Sequence, residues 1–295
     1  MVEKFTVSSL LEKGIEVLGK GDYFNPLLDA QILLSYLLDV DKIYLYTHSK
    51  DTVEEGTVKE YLKLIELRKS RYPLQYIIGK QEFMGLDFKV KEGVLIPRPD
   101  TEVLVESIIE IVDKGYFNEK ETINIADIGT GSGAITLSLA HFIKNSFVYS
   151  VDISKEALEV ANENAKNLSL GGQVKFLNGN ILEALYDEKL ENSIDILVSN
   201  PPYIPSKVIE DLQIEVSTYE PKLALDGGED GLDFYRNIIE HSSELIRQNG
   251  LIAFEIGHDQ AEDIRELLIQ SESFKEIEVI TDLSGLDRVV IGKKV

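Results

Sequence analysis

The sequence predicts an α/β protein in which a mostly parallel sheet follows a smaller helical domain. From residue 123 onward, short apolar runs of strand length alternate with segments of helical apolar spacing. That alternation is typical of a parallel sheet covered on both faces. Up to about residue 73, apolar residues recur at helical spacing instead. Residues 74–99 differ from both parts, with two short strands around a glycine and then a proline-rich stretch.

We predict an N-terminal helical domain over residues 1–73. A serine with capping-box spacing predicts a helix that begins near Ser9. Further helices are predicted over residues 29–38 and 58–71. No combination of residues in this domain suggests chemistry, so we expect it to serve recognition or packing.

Residues 74–99 are predicted to form a β-hairpin linker, with strands on either side of Gly85. The prolines that follow make the chain rigid, and a helix is predicted from Val103 to Val112. Two interpretations remain open. The segment is either a stiff connection between domains or a wall that folds over a ligand.

The third domain is predicted over residues 100–295. Strands are predicted over 123–128, 147–152, 173–177, 194–199 and 251–256, with helices over 133–143, 154–167 and 232–248. The last pair of strands, over 276–281 and 288–292, is predicted to form a hairpin at the end of the sheet.

Composition limits the function classes. The chain has 295 residues and a formal net charge of −22, which disfavours broad contact with a phosphate backbone. No cysteine and only four histidines occur, so we expect no metal. No apolar run approaches the ~20 residues of a membrane span. We therefore expect a soluble, cytoplasmic protein, monomeric by default, without direct nucleic-acid or membrane binding.

A glycine-rich turn follows the first strand of the third domain. Gly129, Gly131 and Gly133 alternate with other residues and lead into a helix. Glycine permits close approach of a ligand to the backbone, and a helix N-terminus offers free amide donors. The spacing Gly-x-Gly-x-Gly is not that of the dinucleotide fingerprint, which has two residues before its last glycine.

Two aspartates indicate which ligand this turn takes. Asp127 precedes the first glycine, where a carboxylate repels a pyrophosphate and attracts an ammonium. Asp152 ends the next strand, 19 residues (152 − 133) beyond Gly133, a distance that suits a carboxylate on ribose hydroxyls. A ligand with an ammonium and a ribose but no pyrophosphate describes S-adenosylmethionine, whose product after methyl transfer is S-adenosylhomocysteine.

The most informative motif is Asn-Pro-Pro-Tyr, at the end of an apolar run. Two prolines fix two φ angles and make a stiff turn, with Asn200 at its start and Tyr203 at its end. Such a turn is suited to hold a planar amide or amine. The substrate-binding residues predicted here are Asn200, Pro201, Pro202 and Tyr203.

At this point the chain resembles a known family, the protein glutamine methyltransferases that modify peptide-chain release factors, often called PrmC or HemK. The resemblance spans nearly the whole chain. Its segments are residues 96–102, 127–133, 200–204, 220–221, 228–232, 255–257 with Gln260, and 282–288. Asn-Pro-Pro-Tyr is shared with enzymes that methylate amino groups of DNA and RNA, whereas Pro-Arg-Pro-Asp-Thr-Glu is specific to this family.

The resemblance implies a Rossmann-like, seven-stranded S-adenosylmethionine-dependent methyltransferase domain with a C-terminal antiparallel hairpin. It implies a substrate too, the glutamine of the Gly-Gly-Gln loop in release factors, with an effect on translation termination. The cofactor-binding residues it implies, together with those predicted above, are Asp127, Gly129, Thr130, Gly131, Ser132, Gly133, Asp152, Ile153, Asn180, Ile181 and Asn200.

One departure concerns Asn180, which stands where the family usually has Asp. Asn180 and Ile181 would contact adenine. Since an amide oxygen can still accept a hydrogen bond from the adenine amino group, we expect a change in affinity rather than a loss of function.

The catalytic residues predicted are Asn200 and Pro201. We hypothesise that the Asn200 side-chain oxygen and the Pro201 carbonyl accept the two hydrogens of the substrate amide. An adenine amino-methyltransferase acting on nucleic acid is the alternative, with the base flipped toward the same motif. A noncatalytic cofactor-binding adaptor is a third interpretation, disfavoured by intact Gly129, Asp152 and Asn200.

Overall fold

A computed structural model describes residues 4–19 and 25–295. The chain forms two compact units. The first comprises the described residues up to Gly79 together with Gln213–Tyr219, and the second comprises Lys80–Leu212 and Glu220–Val295. Division of the chain therefore differs from the predicted one: residues 74–79 join the helical unit, and the hairpin joins the larger unit. The return of Gln213–Tyr219 to the helical unit had no signal in the sequence.

The helical unit packs around a small apolar core. Its helices are α1 (Val7–Leu18), α2 (Pro26–Leu38), α3 (Lys42–Thr47), α4 (Glu55–Lys69) and α5 (Leu74–Ile78). Leu10, Leu33, Tyr61 and Ile65 are fully buried in it. The N-terminal cap of α1 differs from the predicted one, because Thr6 caps the helix and Ser9 completes the capping box from the third helical position.

Buried ion pairs hold the segment Gln213–Tyr219 within this unit. Glu215 lies in the short helix Ile214–Ser217. Its carboxylate accepts a hydrogen bond from Arg68 Nη1 at 3.2 Å and another from Arg71 Nη2. Arg68 also donates from Nε to Asp29 Oδ2 at 2.7 Å. Pairing on both sides offsets the desolvation of charges that are almost wholly buried.

The larger unit begins with the hairpin β1 (Lys80–Phe83) and β2 (Leu86–Lys89). Its sheet strands are β3 (Ile123–Ile128), β4 (Ser146–Asp152), β5 (Val174–Asn178), β6 (Ile194–Ser199), β7 (Ile246–Glu255), β8 (Phe274–Thr281) and β9 (Asp287–Lys294). The remaining helices are α6 (Thr101–Asp113), α7 (Ala134–Phe142), α8 (Lys155–Asn167), α9 (Glu183–Asp187), α10 (Ile214–Ser217, in the helical unit), α11 (Asp233–Ser242) and α12 (Ala261–Gln270).

The seven-stranded sheet has the order β5-β4-β3-β6-β7-β9-β8. Strands β3 to β7 run parallel to one another, and β9 pairs antiparallel with β7 and β8. Successive residues of β3 point to opposite faces, so that Ile125 belongs to one buried apolar cluster and Ala126 to the other. The predicted fold class, including its antiparallel C-terminal hairpin, is confirmed. Within the described ranges, no helix combines the length and apolarity needed to cross a membrane.

One predicted helix was too long. The segment 232–248 was predicted as helical, but α11 ends at Ser242 and β7 begins at Ile246. Residues 243–248 continue the helical spacing, yet pairing of Ile246 with Ile194 in the sheet outweighs that preference. The register shift between Ile194 and Ile196 accommodates the extra residues of β7. Helix α12 was not predicted.

Replacing Gly14 by Ala should destabilise the helical unit, because a β-carbon there would lie 2.2 Å from Tyr61 Oη and 2.9 Å from Tyr61 Cζ. Overpacking of this kind costs about 1–3 kcal/mol. Hydrogen exchange of the α1 and α4 amides in the full chain measures the loss. Gly56→Ala in α4 is the matched control, since its added carbon would meet no described atom within 4 Å beyond its chain neighbours and the backbone of its own helix. Equal protection in Gly14→Ala and wild type would contradict this packing.

Candidate active site

The site lies where β3 and β6 end side by side. These strands are neighbours, yet the chain leaves β3 toward β4 and reaches β6 only after β5, so the strand order reverses between them. Ligands bind at such switch points in open α/β sheets. The Ser199 hydroxyl donates to the Ile128 carbonyl oxygen at 2.6 Å and joins the two strand ends.

A cavity of about 190 Å³ opens at this edge of the sheet. Its wall includes nine of the residues predicted from sequence: Gly129, Gly131, Asp152, Ile153, Asn180, Ile181, Asn200, Pro201 and Pro202. The other predicted site residues, Asp127, Thr130, Ser132, Gly133 and Tyr203, are not part of the wall. The wall also includes residues that were not predicted from the sequence, among them Gly93, Val94, Leu95, Leu223, Ala224 and Phe234.

The glycine turn adopts backbone conformations that other residues rarely adopt. Gly129 has a φ of +90° and Gly133 a φ of +84°. A β-carbon at Gly133 would also lie 3.2 Å from the Ala161 Cβ of α8. Gly133 therefore allows the turn to pack against α8, while Gly129 and Gly131 present their backbone to the cavity. The intervening Thr130 and Ser132 are buried.

Asp127 lies beneath the glycine turn and has no exposed surface. Thr136 donates a hydrogen bond to its Oδ2, whereas its Oδ1 has no hydrogen-bond partner within the described part of the chain. Burial, with a smaller contribution from Asp152, raises the pKa of Asp127 to about 7. This placement separates the carboxylate from the cavity wall, so its predicted attraction for an ammonium would act through the turn rather than by contact.

Asp152 is held in place by backbone amides. Gly131 N donates to its Oδ2 and Ser154 N to its Oδ1, each at 2.8 Å. Each carboxylate oxygen keeps a further lone pair for a ligand hydroxyl. Burial raises the pKa of Asp152, which these amide hydrogen bonds oppose. Asp152 thus links the glycine turn to the neighbouring strand end and faces the cavity.

The wall beyond Asp152 is partly apolar. Ile153 is half exposed there, and Asn180 is exposed. Ile181 has a φ of +48°, which is unfavourable for a β-branched residue. Backbone strain of this kind is typical of functional sites, and here it occurs in the turn predicted to contact adenine.

The Asn-Pro-Pro-Tyr loop forms the opposite wall. Asn200 Nδ2 donates to Thr101 Oγ1 at 3.1 Å, so its Oδ1 stays available as an acceptor. Tyr203 faces away from the cavity, with its hydroxyl 3.4 Å from Glu255 Oε1. Burial, and then Glu255, raise the pKa of Tyr203.

Two segments of the family resemblance, residues 228–232 and residues 255–257 with Gln260, pack against this loop and hold it in place. Gln260 Nε2 donates to the Tyr203 carbonyl oxygen at 3.1 Å, and its Oε1 accepts from Gly257 N at 2.9 Å. A β-carbon at Gly231 would lie 2.3 Å from the same Tyr203 oxygen. Glycine is therefore required at this position to let the two backbones pack together.

The segment 96–102 makes three separate contacts around the site. Arg98 Nη2 donates to Glu220 Oε1 at 2.6 Å. Thr101 accepts from Asn200, as described above. Glu102 Oε1 accepts from Met84 N, in the turn of the hairpin, at 2.6 Å. Together with the wall residues of the preceding segment 93–95, these contacts support the interpretation in which the predicted linker folds over a ligand.

Three buried ionisable groups lie behind the loop. Burial raises the pKa of Glu255 to about 7, although Thr101 and Arg288 oppose the shift. Burial also raises the pKa of Glu220, against the guanidinium of Arg98. Arg288 Nη2 lies 3.3 Å from Asp100 Oδ2 and 3.1 Å from Asp282 Oδ2. Arg288, in the last segment of the family resemblance (residues 282–288), is therefore the positively charged member of these three groups.

The cavity fits S-adenosylmethionine. Gly129 and Gly131 leave room for a ligand against the backbone, and Asp152 offers acceptors for ribose hydroxyls. Ile153 and Ile181 supply apolar surface for a base. The chemistry of the wall therefore matches the parts of that cofactor.

Comparisons with known proteins are consistent with a methyltransferase site. A family model described as "PrmC N-terminal domain" matches residues 9–79, and one described as "Methyltransferase domain" matches residues 119–223. The release factor glutamine methyltransferase of Clostridium acetobutylicum is 45% identical over 264 residues, 90% of each chain. That of Moorella thermoacetica is 42% identical over 287 residues, 97% of this chain and 98% of the relative. The chain belongs to the release factor glutamine methyltransferase family.

Membership also establishes the methyl donor, which for this methyltransferase domain is S-adenosylmethionine. A more distant likeness concerns the fold alone. The catalytic domain of hMettl16 is 15% identical and covers 82% of this chain and 84% of its own, with a TM-score of 0.55.

Replacing Gly227 by Ala should disturb the Asn-Pro-Pro-Tyr loop. A β-carbon there would lie 2.8 Å from both the Pro202 carbonyl oxygen and Tyr203 Cα, which are backbone atoms that cannot rotate away. We expect a loss of about 1–3 kcal/mol in the free energy of unfolding of the larger unit, measured by urea denaturation. Gly171→Ala, whose added carbon would meet no described atom within 4 Å other than its chain neighbours, should match wild type. A stable Gly227→Ala variant would contradict the close packing.

Replacing Asn180 by the family's usual Asp should tighten S-adenosylhomocysteine binding by about 3- to 10-fold, because hydrogen bonds to charged groups are stronger than neutral ones. Asn180→Ala should weaken binding instead. Isothermal titration calorimetry measures both. If both variants bind like wild type, Asn180 does not contact the adenine.

Proposed function

We propose that this protein transfers a methyl group from S-adenosylmethionine to the side-chain amide nitrogen of the glutamine in the Gly-Gly-Gln motif of peptide-chain release factors. The observation that carries the proposal is that Asn200 lines the cavity while its Nδ2 donates to Thr101 Oγ1 at 3.1 Å, a contact that leaves its Oδ1 able to accept a hydrogen bond. Family membership supports the same substrate.

The cofactor would lie across the ends of β3 and β4. Gly129 and Gly131 would hold its methionine part, Asp152 its ribose, and Asn180 with Ile181 its adenine. When bound, S-adenosylmethionine supplies an electrophilic methyl group on its sulfonium. The protein's task is to bring the glutamine nitrogen to that group.

An amide nitrogen is a poor nucleophile, because its lone pair is delocalised into the carbonyl. Its proton is also too weakly acidic for a side chain to remove beforehand. Asn200 Oδ1 and the Pro201 carbonyl oxygen accept the two amide hydrogens and stabilise the positive charge that develops on nitrogen. One proton leaves the nitrogen after it becomes methylated, so no dedicated base is required. Positioning of this kind contributes up to about 7–11 kcal/mol.

Tyr203 supports the loop that carries these acceptors. Its ring packs against the apolar cluster on one face of the sheet, and its hydroxyl lies 3.4 Å from Glu255 Oε1. Direct binding of the substrate by Tyr203, predicted from the sequence, stays a prediction, because Tyr203 is not part of the cavity wall.

Several properties follow from the proposed substrate. The protein would act in the cytoplasm on release factors and so affect translation termination. We further propose that it works as a monomer and without direct binding of nucleic acid, in keeping with its net charge of −22.

The test is methyl transfer from labelled S-adenosylmethionine to a purified release factor. The parallel samples are the same factor with its Gly-Gly-Gln changed to Gly-Gly-Ala, and duplex DNA. We expect label on the release factor that disappears in the Ala variant. Label on DNA alone would instead establish the alternative, an adenine amino-methyltransferase.

Asn200→Ala should lower kcat by about 10²- to 10³-fold, the effect of removing a positioned group that stabilises charge in a transition state. Affinity for S-adenosylhomocysteine should change little. Asn167→Ala, at an exposed end of α8, is the matched control. Turnover like that of wild type in Asn200→Ala would contradict the proposed role.

A further inference from the structure

We infer that Asn164 is a positioning residue for the cofactor, because it joins the end of the hairpin to the glycine turn and so places a wall of the cavity. Asn164 lies in α8 and is fully buried. It is not part of the cavity wall, so it acts on a bound cofactor through the backbone segments that it joins. The inference concerns S-adenosylmethionine, which family membership establishes, and does not depend on the glutamine substrate.

Three hydrogen bonds join the Asn164 side chain to backbone atoms. Its Oδ1 accepts from Lys89 N at 2.8 Å, and its Nδ2 donates to the Lys89 carbonyl oxygen at 3.0 Å. Nδ2 also donates to the Ser132 carbonyl oxygen at 2.9 Å. Since a side-chain amide has two N–H donors, both are engaged. Asn164 thus pairs with the last residue of β2 as a neighbouring strand would, and connects it to the glycine turn.

These contacts admit one orientation of the Asn164 amide. The reversed orientation would place Oδ1 beside two carbonyl oxygens and Nδ2 beside the Lys89 N–H group, so that no hydrogen bond would form. Aspartate, which has the same shape, could still accept from Lys89 N but could not donate to either carbonyl oxygen when ionised. Unpaired polar groups are costly at a buried position. The position therefore requires an amide.

The segment that follows β2 forms part of the cavity wall. Residues 93–95 line the cavity. Val94 is 1% exposed and packs in an apolar cluster with Ala157 and Val160 of α8. Val160 and Asn164 are one helical turn apart and lie on the same face of α8. That face of the helix therefore holds both the polar start of the segment and its apolar end.

The other partner of Asn164 is the glycine turn itself. Ser132 is buried and follows Gly131, whose backbone lines the cavity. Gly131 N donates to Asp152 Oδ2 at 2.8 Å. By holding the Ser132 carbonyl oxygen, Asn164 restrains the turn next to this contact. One side chain thus sets the separation between two parts of the cofactor wall, the glycine turn and residues 93–95.

Two exposed ion pairs join the same elements. Lys89 Nζ lies 2.6 Å from Glu163 Oε1, and Lys91 Nζ lies 3.0 Å from Glu156 Oε1. All four side chains are 42–52% exposed, and ion pairs at such positions contribute little. The buried amide of Asn164 is therefore the contact that matters for the attachment.

The experiment compares Asn164→Asp and Asn164→Ala with wild type, all as full chains. Asn162→Asp is the matched control, because Asn162 is exposed on the same helix and its Nδ2 donates to the Leu158 carbonyl oxygen of that helix. Glu163→Gln, which removes one exposed ion pair, is a second control. We measure the affinity for S-adenosylhomocysteine by calorimetry, the hydrogen exchange of residues 89–95, and KM and kcat with a release factor.

We expect both Asn164 variants to bind S-adenosylhomocysteine about 10- to 100-fold more weakly, since buried hydrogen bonds are lost or left unsatisfied. Amides of residues 89–95 should exchange faster in these variants even without ligand. KM for S-adenosylmethionine should rise, while kcat at saturating cofactor stays within about twofold, because only cofactor binding is impaired. Both control variants should match wild type in every measurement.

Wild-type protein supplies a measurement that does not require the variants to fold. Coupling between two sites is reciprocal, so bound S-adenosylhomocysteine should slow exchange of the Lys89 amide, which donates to Asn164 Oδ1. Lys89 is not part of the cavity wall, so a ligand reaches this amide only through the attachment. An unchanged exchange rate at Lys89 would overturn the inference.

The remaining outcomes separate this inference from the proposed function. Wild-type affinity in both Asn164 variants would overturn it. A lower kcat with unchanged KM and affinity would show a merely structural role and also overturn it. Absence of methyl transfer to the release factor, with the expected pattern of affinities, would overturn the proposed function and leave the role of Asn164 supported.

Discussion

Parallel pairing of β3 with β6 is the constraint on which the site depends. The register places Ile128 beside Ser199, so the glycine turn and the Asn-Pro-Pro-Tyr loop leave the sheet at the same level. The two loops consequently come close enough that a β-carbon at Gly129 would lie 3.8 Å from the Asn200 carbonyl oxygen. Because a slip of one residue would turn every side chain to the other face, the apolar clusters on both faces hold this register. The cofactor wall and the substrate wall are thus positioned by the core.

The site retains buried polar groups that a purely structural core would avoid. Glu220 and Glu255 are each at most 4% exposed, and each has one oxygen that finds no hydrogen-bond partner among the residues the structure describes. Burial of such groups is costly, so a role in stability alone does not explain them. The segment 96–102 contacts Glu220 through Arg98 and Asn200 through Thr101, and Glu255 accepts a hydrogen bond from Tyr203 of the substrate loop. The segment specific to this family therefore connects the hairpin, the cavity wall and the substrate loop.

Sequence reasoning identified the parts of the site that carry a local signal. Glycine spacing, an aspartate at a strand end and a double proline are all readable within a few residues, and Gly129, Asp152 and Asn200 do lie at one cavity. Contacts between distant residues had no such signal. Thr101 and Asn200 are 99 positions apart, and Tyr203 and Glu255 are 52 apart. Residues 243–248 show the opposite effect. Their local pattern predicts a helix, but the pairing of this segment in the sheet outweighs that preference. Separation in sequence, rather than residue type, determined what could be predicted.

Methyl transfer as proposed requires Asn200 Oδ1 and the Pro201 carbonyl oxygen to accept the hydrogens of a glutamine side-chain amide. A crystal structure of the protein with S-adenosylhomocysteine and a Gly-Gly-Gln peptide tests it most directly. We expect the glutamine amide nitrogen to lie within hydrogen-bond distance of both oxygens, with Asn200 Nδ2 still donating to Thr101. A glutamine whose carbonyl oxygen faces Asn200 Nδ2, or one bound away from the loop, would contradict it.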